Sequence, residues 1–381
     1  MLTTAAAENE APTCTAREGE RCRKDAGVPG AGGEPADDQA PSLETVVRGR
    51  TSSVGAAQGR ASSAVTKKEM EERLPRSAPD ALRYEPGVFV QQTGHAQGSA
   101  YIRGLTGQQT VMLFDGVRLN NSTFRQGPNQ YFFTIDARTV ERLEVVRGGA
   151  STRYGSDAIG GVLQAFPVEL QFTDDERGLT VHPGASFRAA TADREAGGRL
   201  KASAQLGSAL GFVGGAGFRK AGLLESGGAI LSPTTGRPPG APRFAPDGRT
   251  QLGTGFSELA MDGRVVYRLD NGGRIVGALY DYRQFDSPRT DQCPPPFAPL
   301  GECLKYEEQF RTLGYVMYEG GVGTLARSCR VTASYQVQHE RRLRERPSSF
   351  LNNGGREDVH TAGLTLQADS DVVRPASDIG L

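Results

Sequence analysis

The sequence predicts a small α+β domain followed by antiparallel β-barrel strands, and three observations carry that expectation. Glycine supplies 50 of the 381 residues, well above its usual share of about 7%, while the 37% hydrophobic fraction disfavours one thick apolar core. Beyond residue 166, polar and apolar side chains alternate with period two, so each strand has one wet and one apolar face. The connections between these strands are alternately tight and long, the rhythm of an outer-membrane barrel with short periplasmic turns and long outer loops. No stretch approaches the ~18 consecutive apolar residues of a spanning helix; the longest informative run is Val111 to Phe114. The 44 basic and 44 acidic side chains cancel, which gives a nucleic acid no polycationic surface to bind.

Residues 1–43 are rich in Ala, Gly, Glu, Pro and Asp and are expected to form a disordered arm. The start shows neither the basic region nor the apolar stretch of a secretory signal. Leu43 to Val47 is an isolated β-prone patch, and a Gly/Ser/Arg-rich tether follows it to residue 64. The α+β unit spans 65–168. Thr66, with Glu69 three residues on, forms a capping box for a helix over Lys67 to Leu74, which Pro75 stops. Ser77 to Tyr84 reads as a second short helix. Thr110 to Phe114 and Val117 to Leu119 form a hairpin, because Asp115-Gly116 supplies the positive φ angles of a type I′ turn. Val140 to Arg147 is a strand, and Asp157 to Phe166 is another with Gly160-Gly161 inside it, where a side chain would obstruct close backbone approach.

The barrel portion, 169–381, contains eight strands near 178–191, 198–207, 210–220, 255–269, 273–286, 306–319, 324–342 and 357–369. Long loops at 221–253, 287–305 and 343–356 then face outward. Cys293 and Cys303 flank Pro294-Pro295-Pro296 in one of them and either staple the loop or remain two surface thiols. Cys329 reads as a small apolar strand residue.

The middle of the chain resembles the plug domain of TonB-dependent outer-membrane receptors. The resemblance rests on Pro86-Gly87-Val88, Ile102-Arg103-Gly104, Leu113-Phe114-Asp115-Gly116-Val117, Ile135-Asp136, Val140 to Gly148 and Tyr154 to Val162, in that order. Gly149 stands where the family usually has Pro, and Leu163 to Pro167 departs from the usual end of the last plug strand. The resemblance implies an incomplete barrel of about 8 strands out of an expected ~22, since an eight-stranded barrel has no room for a plug.

It further implies energy-coupled uptake of a scarce ligand such as an iron-siderophore, haem or cobalamin, with bacterial outer-membrane lipid around the barrel. Glu44, Thr45, Val46 and Val47 resemble the TonB box, which TonB, powered by its inner-membrane complex, grips as an added strand. The outward plug loops offer Gln92, His95, Asn120, Asn121, Arg125, Gln130 and Tyr131 to a small chelate ligand. Arg103, Asp115, Glu144, Arg147, Arg153 and Asp157 are expected to meet a polar barrel lumen through water and charged hydrogen bonds, as a removable plug requires. An outer-membrane signalling or adhesion protein of the same architecture, or a non-functional receptor fragment, is the alternative. No enzyme is expected, and neither a cofactor nor a metal. The glycines of 211–217 lack dinucleotide-loop spacing, and histidines 95, 182, 339 and 360 lack metal-ligand spacing.

Overall fold

The computed structural model describes residues 61–121, 123, 131–173, 178–240, 242–294, 301–322, 326–346 and 352–369. The N-terminal domain opens with β1 (Ser62–Thr66), whose first three residues belong to the segment expected as tether. It is ordered by antiparallel pairing with β6 (Val140–Arg147), so the unit begins earlier than its apolar pattern indicates. Helix α1 (Lys67–Arg73) follows with the expected capping box: Thr66 and Glu69 satisfy each other's backbone donors. Ser77 to Tyr84 gives only one 3-10 turn, Asp80–Leu82, with Pro79 at its N-cap. Proline has no backbone N–H to donate and cannot lie inside a longer helix.

The short strands β2 (Val88–Gln91) and β3 (Ser99–Ile102) pair as a separate ribbon. The strands β4 (Thr110–Phe114) and β5 (Val117–Arg118) form the expected hairpin, with φ 47° at Asp115 and 82° at Gly116. The last strand, β7 (Gly161–Pro167), starts later than expected because residues 157–160 are held in a turn by Ala158 N to Gly155 O (3.1 Å) and Gly148 N to Gly160 O (2.8 Å). Gly161 itself is obligatory: its φ is +154°, and a Cβ there would lie 2.2 Å from Val146 O. The resulting five-stranded sheet has the order β1-β6-β7-β4-β5, with β4 parallel to β7.

The second part is an open, sequential antiparallel sheet of eight strands. In chain order these are β8 (Leu179–Ala190), β9 (Glu195–Leu206), β10 (Leu210–Ala221), β13 (Phe256–Arg268), β14 (Arg274–Pro288), β15 (Cys303–Val322), β16 (Ala326–Glu345) and β17 (Asn353–Asp369). A small ribbon, β11 (Leu224–Glu225) with β12 (Thr250–Gln251), decorates the long loop after β10. The glycine run 211–217 lies inside β10, in register with both β9 and β13, and is strand rather than phosphate loop. From β15 onward the strands outrun their expected ends, because ladder pairing continues through polar sequence such as Arg342 opposite Gly355. Cys293 and Cys303 are joined by a disulfide across the loop before β15.

Leu200, Phe212, Leu279, Val316, Leu364 and Leu366 are exposed on the outer face of this sheet. No helix among the described residues is long and apolar enough to cross a membrane; this apolar outer face is of the kind that strands present to lipid. The inner face is less wet than expected. One core cluster runs from Leu82, Ile102, Phe114 and Leu163 of the N-terminal domain into Val266, Val276, Leu313 and Met317 of β13–β15, with Phe114 edge-on to Tyr280 at 4.6 Å. Strand positions that face a docked domain rather than water gain from being apolar.

Candidate functional site

The site is the seam between the N-terminal domain and the inner face of the sheet. The sheet's tight-turn end and its long-loop end differ, and the seam has three levels between them.

At the tight-turn end the β4–β5 turn projects Asp115 toward β13 and β15. Its carboxylate accepts hydrogen bonds from Arg264 Nη1 (2.7 Å) and the Tyr315 hydroxyl (2.6 Å). Arg264 is 1% exposed and also reaches Glu169 at 3.1 Å. Glu169 lies 3.3 Å from Arg274, Arg274 lies 2.6 Å from Glu319, and Glu319 pairs with Arg330 at 2.9 Å. Charges thus alternate in an unbroken chain from the turn to β16, each ion compensated by its neighbours.

At mid-height Asp136 caps the 3-10 turn Ala137–Thr139 and pairs with Arg138 at 2.8 Å. Arg138, Arg219 and Tyr282 converge on Glu258 at 3.4, 2.8 and 2.8 Å. Although burial opposes it, the adjacent Arg138 guanidinium, with Arg199 behind it, holds the Asp136 carboxyl below its ordinary range. On the other flank Arg311 donates to Thr134 Oγ1 at 2.7 Å and to Gln336 at 2.6 Å, and Gln336 donates to Arg118 O at 2.7 Å.

At the long-loop end, the segment after β2 adheres by amides and backbone. Thr290 N donates to Thr93 O at 2.9 Å, Gln97 donates to Gln309 at 2.7 Å, and Gly94 bridges to Arg289. His95 is buried edge-on to Phe256, its Nε2 3.1 Å from the Asp193 carboxylate. Burial, assisted by the nearby Arg76 and Arg219 charges and opposed by Asp193, pushes its pKa down to about 4.

The expected ligand-binding residues are mostly occupied by the protein itself. Gln92 accepts from Arg83 at 3.0 Å. Asn120 holds the hairpin, accepting from Met112 N (2.7 Å) and donating to Thr110 O (2.9 Å). Asn121 donates to Gln338 at 3.1 Å and Tyr131 to Glu340, so both contact the sheet. Arg125 and Gln130 lie outside the described residues, as do Glu44, Thr45, Val46 and Val47.

Of the six charges assigned to the seam, Asp115 reaches the sheet. Arg147 instead donates to Pro86 O (2.5 Å) and Ser63 (2.6 Å), Asp157 pairs with Arg118, and Arg153 lies over the Tyr154 ring. Glu144 pairs with Arg142 at 2.8 Å within β6, and Arg103 packs beside Gly148 and Gly87. For Glu144 and Arg147 the reason is that β6 is flanked on both sides by β1 and β7, which draws its charges sideways; Arg103 and Arg153 are exposed. Sequence reasoning missed the partners on the sheet: Glu258, Arg264, Arg311, Gln336, Gln338 and Glu340. Their signal was present as polar residues on the inward phase of strands, at 258 and 264, at 309 and 311, and at 336, 338 and 340.

Comparison with known proteins agrees with this architecture. Residues 56–162 match the TonB-dependent Receptor Plug Domain family. The vitamin B12 transporter BtuB of Photobacterium profundum is 34% identical over 167 residues, 43% of this chain and 24% of the relative. The BtuB protein of Vibrio vulnificus (strain CMCP6) is 31% identical over 176 residues, 45% of this chain and 26% of the relative. Among solved structures, the copper transporter OprC superposes with a TM-score of 0.61 at 17% identity, over 81% of this chain and 44% of that one. The siderophore receptor PirA from Acinetobacter baumannii gives 0.58 at 17% identity, over 82% and 46%. The chain therefore spans about a quarter of the length of these curated relatives and under half of these solved chains.

Proposed function

We propose that this chain, a TonB-dependent receptor by its plug domain and the strands that hold it, serves the energy-coupled uptake of a scarce ligand across the bacterial outer membrane. The observation that carries the reading is the seam. A domain is seated on the inner face of an antiparallel sheet through the Asp115–Arg264–Tyr315 cluster and the Glu258 and Arg311 networks. The polar contacts of this seam can exchange for water, while the apolar cluster that runs from Phe114 and Leu163 into Leu313 and Met317 sets the cost of parting the plug from the sheet.

In this mechanism a chelate binds on the long-loop side. TonB engages Glu44 to Val47 by adding a strand of its own and pulls, and the seam opens on one side of the plug. The relatives that transport vitamin B12 put cobalamin first among ligands to try, ahead of iron-siderophores and haem.

Two measurements test the reading. Val46→Pro removes a backbone donor and fixes φ, so it should abolish binding of the periplasmic domain of TonB to the chain while leaving ligand binding intact. Undiminished TonB binding by the variant sinks the box assignment. Arg125→Ala should weaken binding of the cognate chelate about tenfold, the loss of one shielded charge-assisted hydrogen bond of ~1.5–3 kcal/mol; equal affinities across a panel of cobalamin, haem and iron-siderophores remove that residue from the ligand site.

A further inference from the structure

Three segments meet in a closed ring of contacts at the long-loop end: the plug segment Thr93 to Ala96, the disulfide-closed loop before β15, and the base of the long loop 221–253. On one side of the ring, Thr290 donates to Thr93 O through both its backbone N–H (2.9 Å) and its hydroxyl (3.3 Å), and Gly94 bridges to Arg289. The loop that makes these contacts leans in turn on 221–253. Gln251 Nε2 donates to Thr290 O at 3.4 Å. Gly253, at a φ of +71°, lies so near that a Cβ there would sit 1.8 Å from Cys293 O. The disulfide to Cys303 and the bond from Cys293 N to Arg289 O (2.8 Å) fix that carbonyl in place.

On the other side Ala96 is buried against Ala221 and Phe256, the residues at which β10 and β13 give way to 221–253, and His95 lies edge-on to the same Phe256. Thr254 closes the ring. Its hydroxyl accepts from Leu224 N at 2.8 Å and donates to Gln251 O at 2.9 Å, tying the two feet of the long loop to its base. None of these links is an ion pair, and each is weak enough to be released in turn. Because consecutive links share residues, the release of one leaves the next with less support.

We propose that this ring couples the plug apex to the outer loop 221–253. Displacing Thr93 to Ala96 loosens the base of the loop, and fixing the loop steadies the apex. Chains of packed side chains and hydrogen bonds carry such coupling, and it acts equally in both directions. A molecule captured by the exposed loop therefore bears on the seating of the plug. The coupling stands on these contacts alone and needs neither a cargo nor TonB.

The test reads amide hydrogen exchange in the full chain in detergent, as protection relative to the intrinsic rate. Gly253→Ala changes the loop where it meets Cys293. It should lower the protection of the Gln97 amide, which bonds Gly94 O within the plug, by about threefold or more, and leave β4 and β5 unchanged. In the reverse direction, Ala96→Asn sets a polar amide against Ala221 and Phe256. It should lower the protection of the Leu252 amide, which bonds Arg243 O within the loop, by a comparable factor. If Gly253→Ala fails to fold, Gln251→Ala carries the forward arm, with a loss of about twofold at Gln97 from the missing bond to Thr290 O. The Gly253→Ala and Ala96→Asn pair together should lose less protection than the two separate losses combined. Loss confined in each variant to the substituted segment, or an equal loss that extends to β4 and β5, overturns the proposal.

Discussion

The two ends of the plug–sheet seam are held by different physics. At the tight-turn end, the alternating chain from Asp115 through Arg264, Glu169 and Arg274 lies beside an apolar cluster that crosses from Phe114 to Tyr280 and Met317. There every ion depends on its neighbour, and removing one leaves a buried charge. At the long-loop end, Thr93, Gly94 and Gln97 adhere through backbone and amide hydrogen bonds beside one half-exposed ion pair, Arg76 with Asp193 at 3.7 Å, and the neighbouring His95 is held neutral. Each of those contacts is worth little net and can be traded for water one at a time. The seam is thus firm where the sheet turns tightly and separable where the long loops lie.

The largest expected effect breaks the firm end. Arg264→Ala strands the buried Asp115 carboxylate beside the apolar cluster and should cost about 3–5 kcal/mol, the usual result of removing one partner of a buried ion pair. Denaturant unfolding of the chain measures it. A loss below about 1 kcal/mol would mean that the cluster is as exchangeable as the opposite end.

A smaller effect, confined to the separable end, comes from pH. His95 resists protonation until about pH 4 in the folded chain, whereas an unfolded histidine takes its proton near 6.5. Between those values the unfolded chain binds more protons, so stability rises with pH across the window and is lost as pH falls through it, by at most about 3 kcal/mol. Hydrogen-exchange protection over residues 91–98, taken relative to the intrinsic exchange rate at each pH, should therefore fall from pH 7 to pH 5, and His95→Phe should flatten that response. Persistence of the same slope in the variant assigns the effect to another group.

The smallest change sharpens the contrast. Gln97→Ala deletes the amide bond to Gln309 and should cost about 1–2 kcal/mol, visible as faster exchange in the same segment but not in β4 and β5. Equal acceleration in the β4–β5 hairpin would show that the two ends open as one unit.

Much of the local structure was legible because it depends on residues close in sequence. The Thr66–Glu69 capping box, the Asp115-Gly116 turn, the strand Val140–Arg147 and the period-two strands all follow from short spacings, and all stand in the structure. Element ends were less legible: β1 begins in the end of an expected tether because β6 offers it a partner edge, a fact no local pattern contains. The seam was the least legible part. Asp115 meets Arg264 and Tyr315 across 149 and 200 residues, and Tyr131 meets Glu340 across 209. Composition flagged which residues were polar but not whether Arg147 would turn toward the sheet or toward Pro86.

The sequence by itself determined the two-part architecture, the alternation of the strands, their tight and long connections, and the motifs that mark a plug domain. Only the tertiary structure decided which charges face one another, that Asn120 braces the hairpin, and that the inner face of β13–β15 is partly apolar. The division has a physical cause. Backbone conformation is governed by sterics and hydrogen bonding over a few residues, whereas the partner of a buried charge is fixed by strand register and docking, which bring together groups hundreds of positions apart.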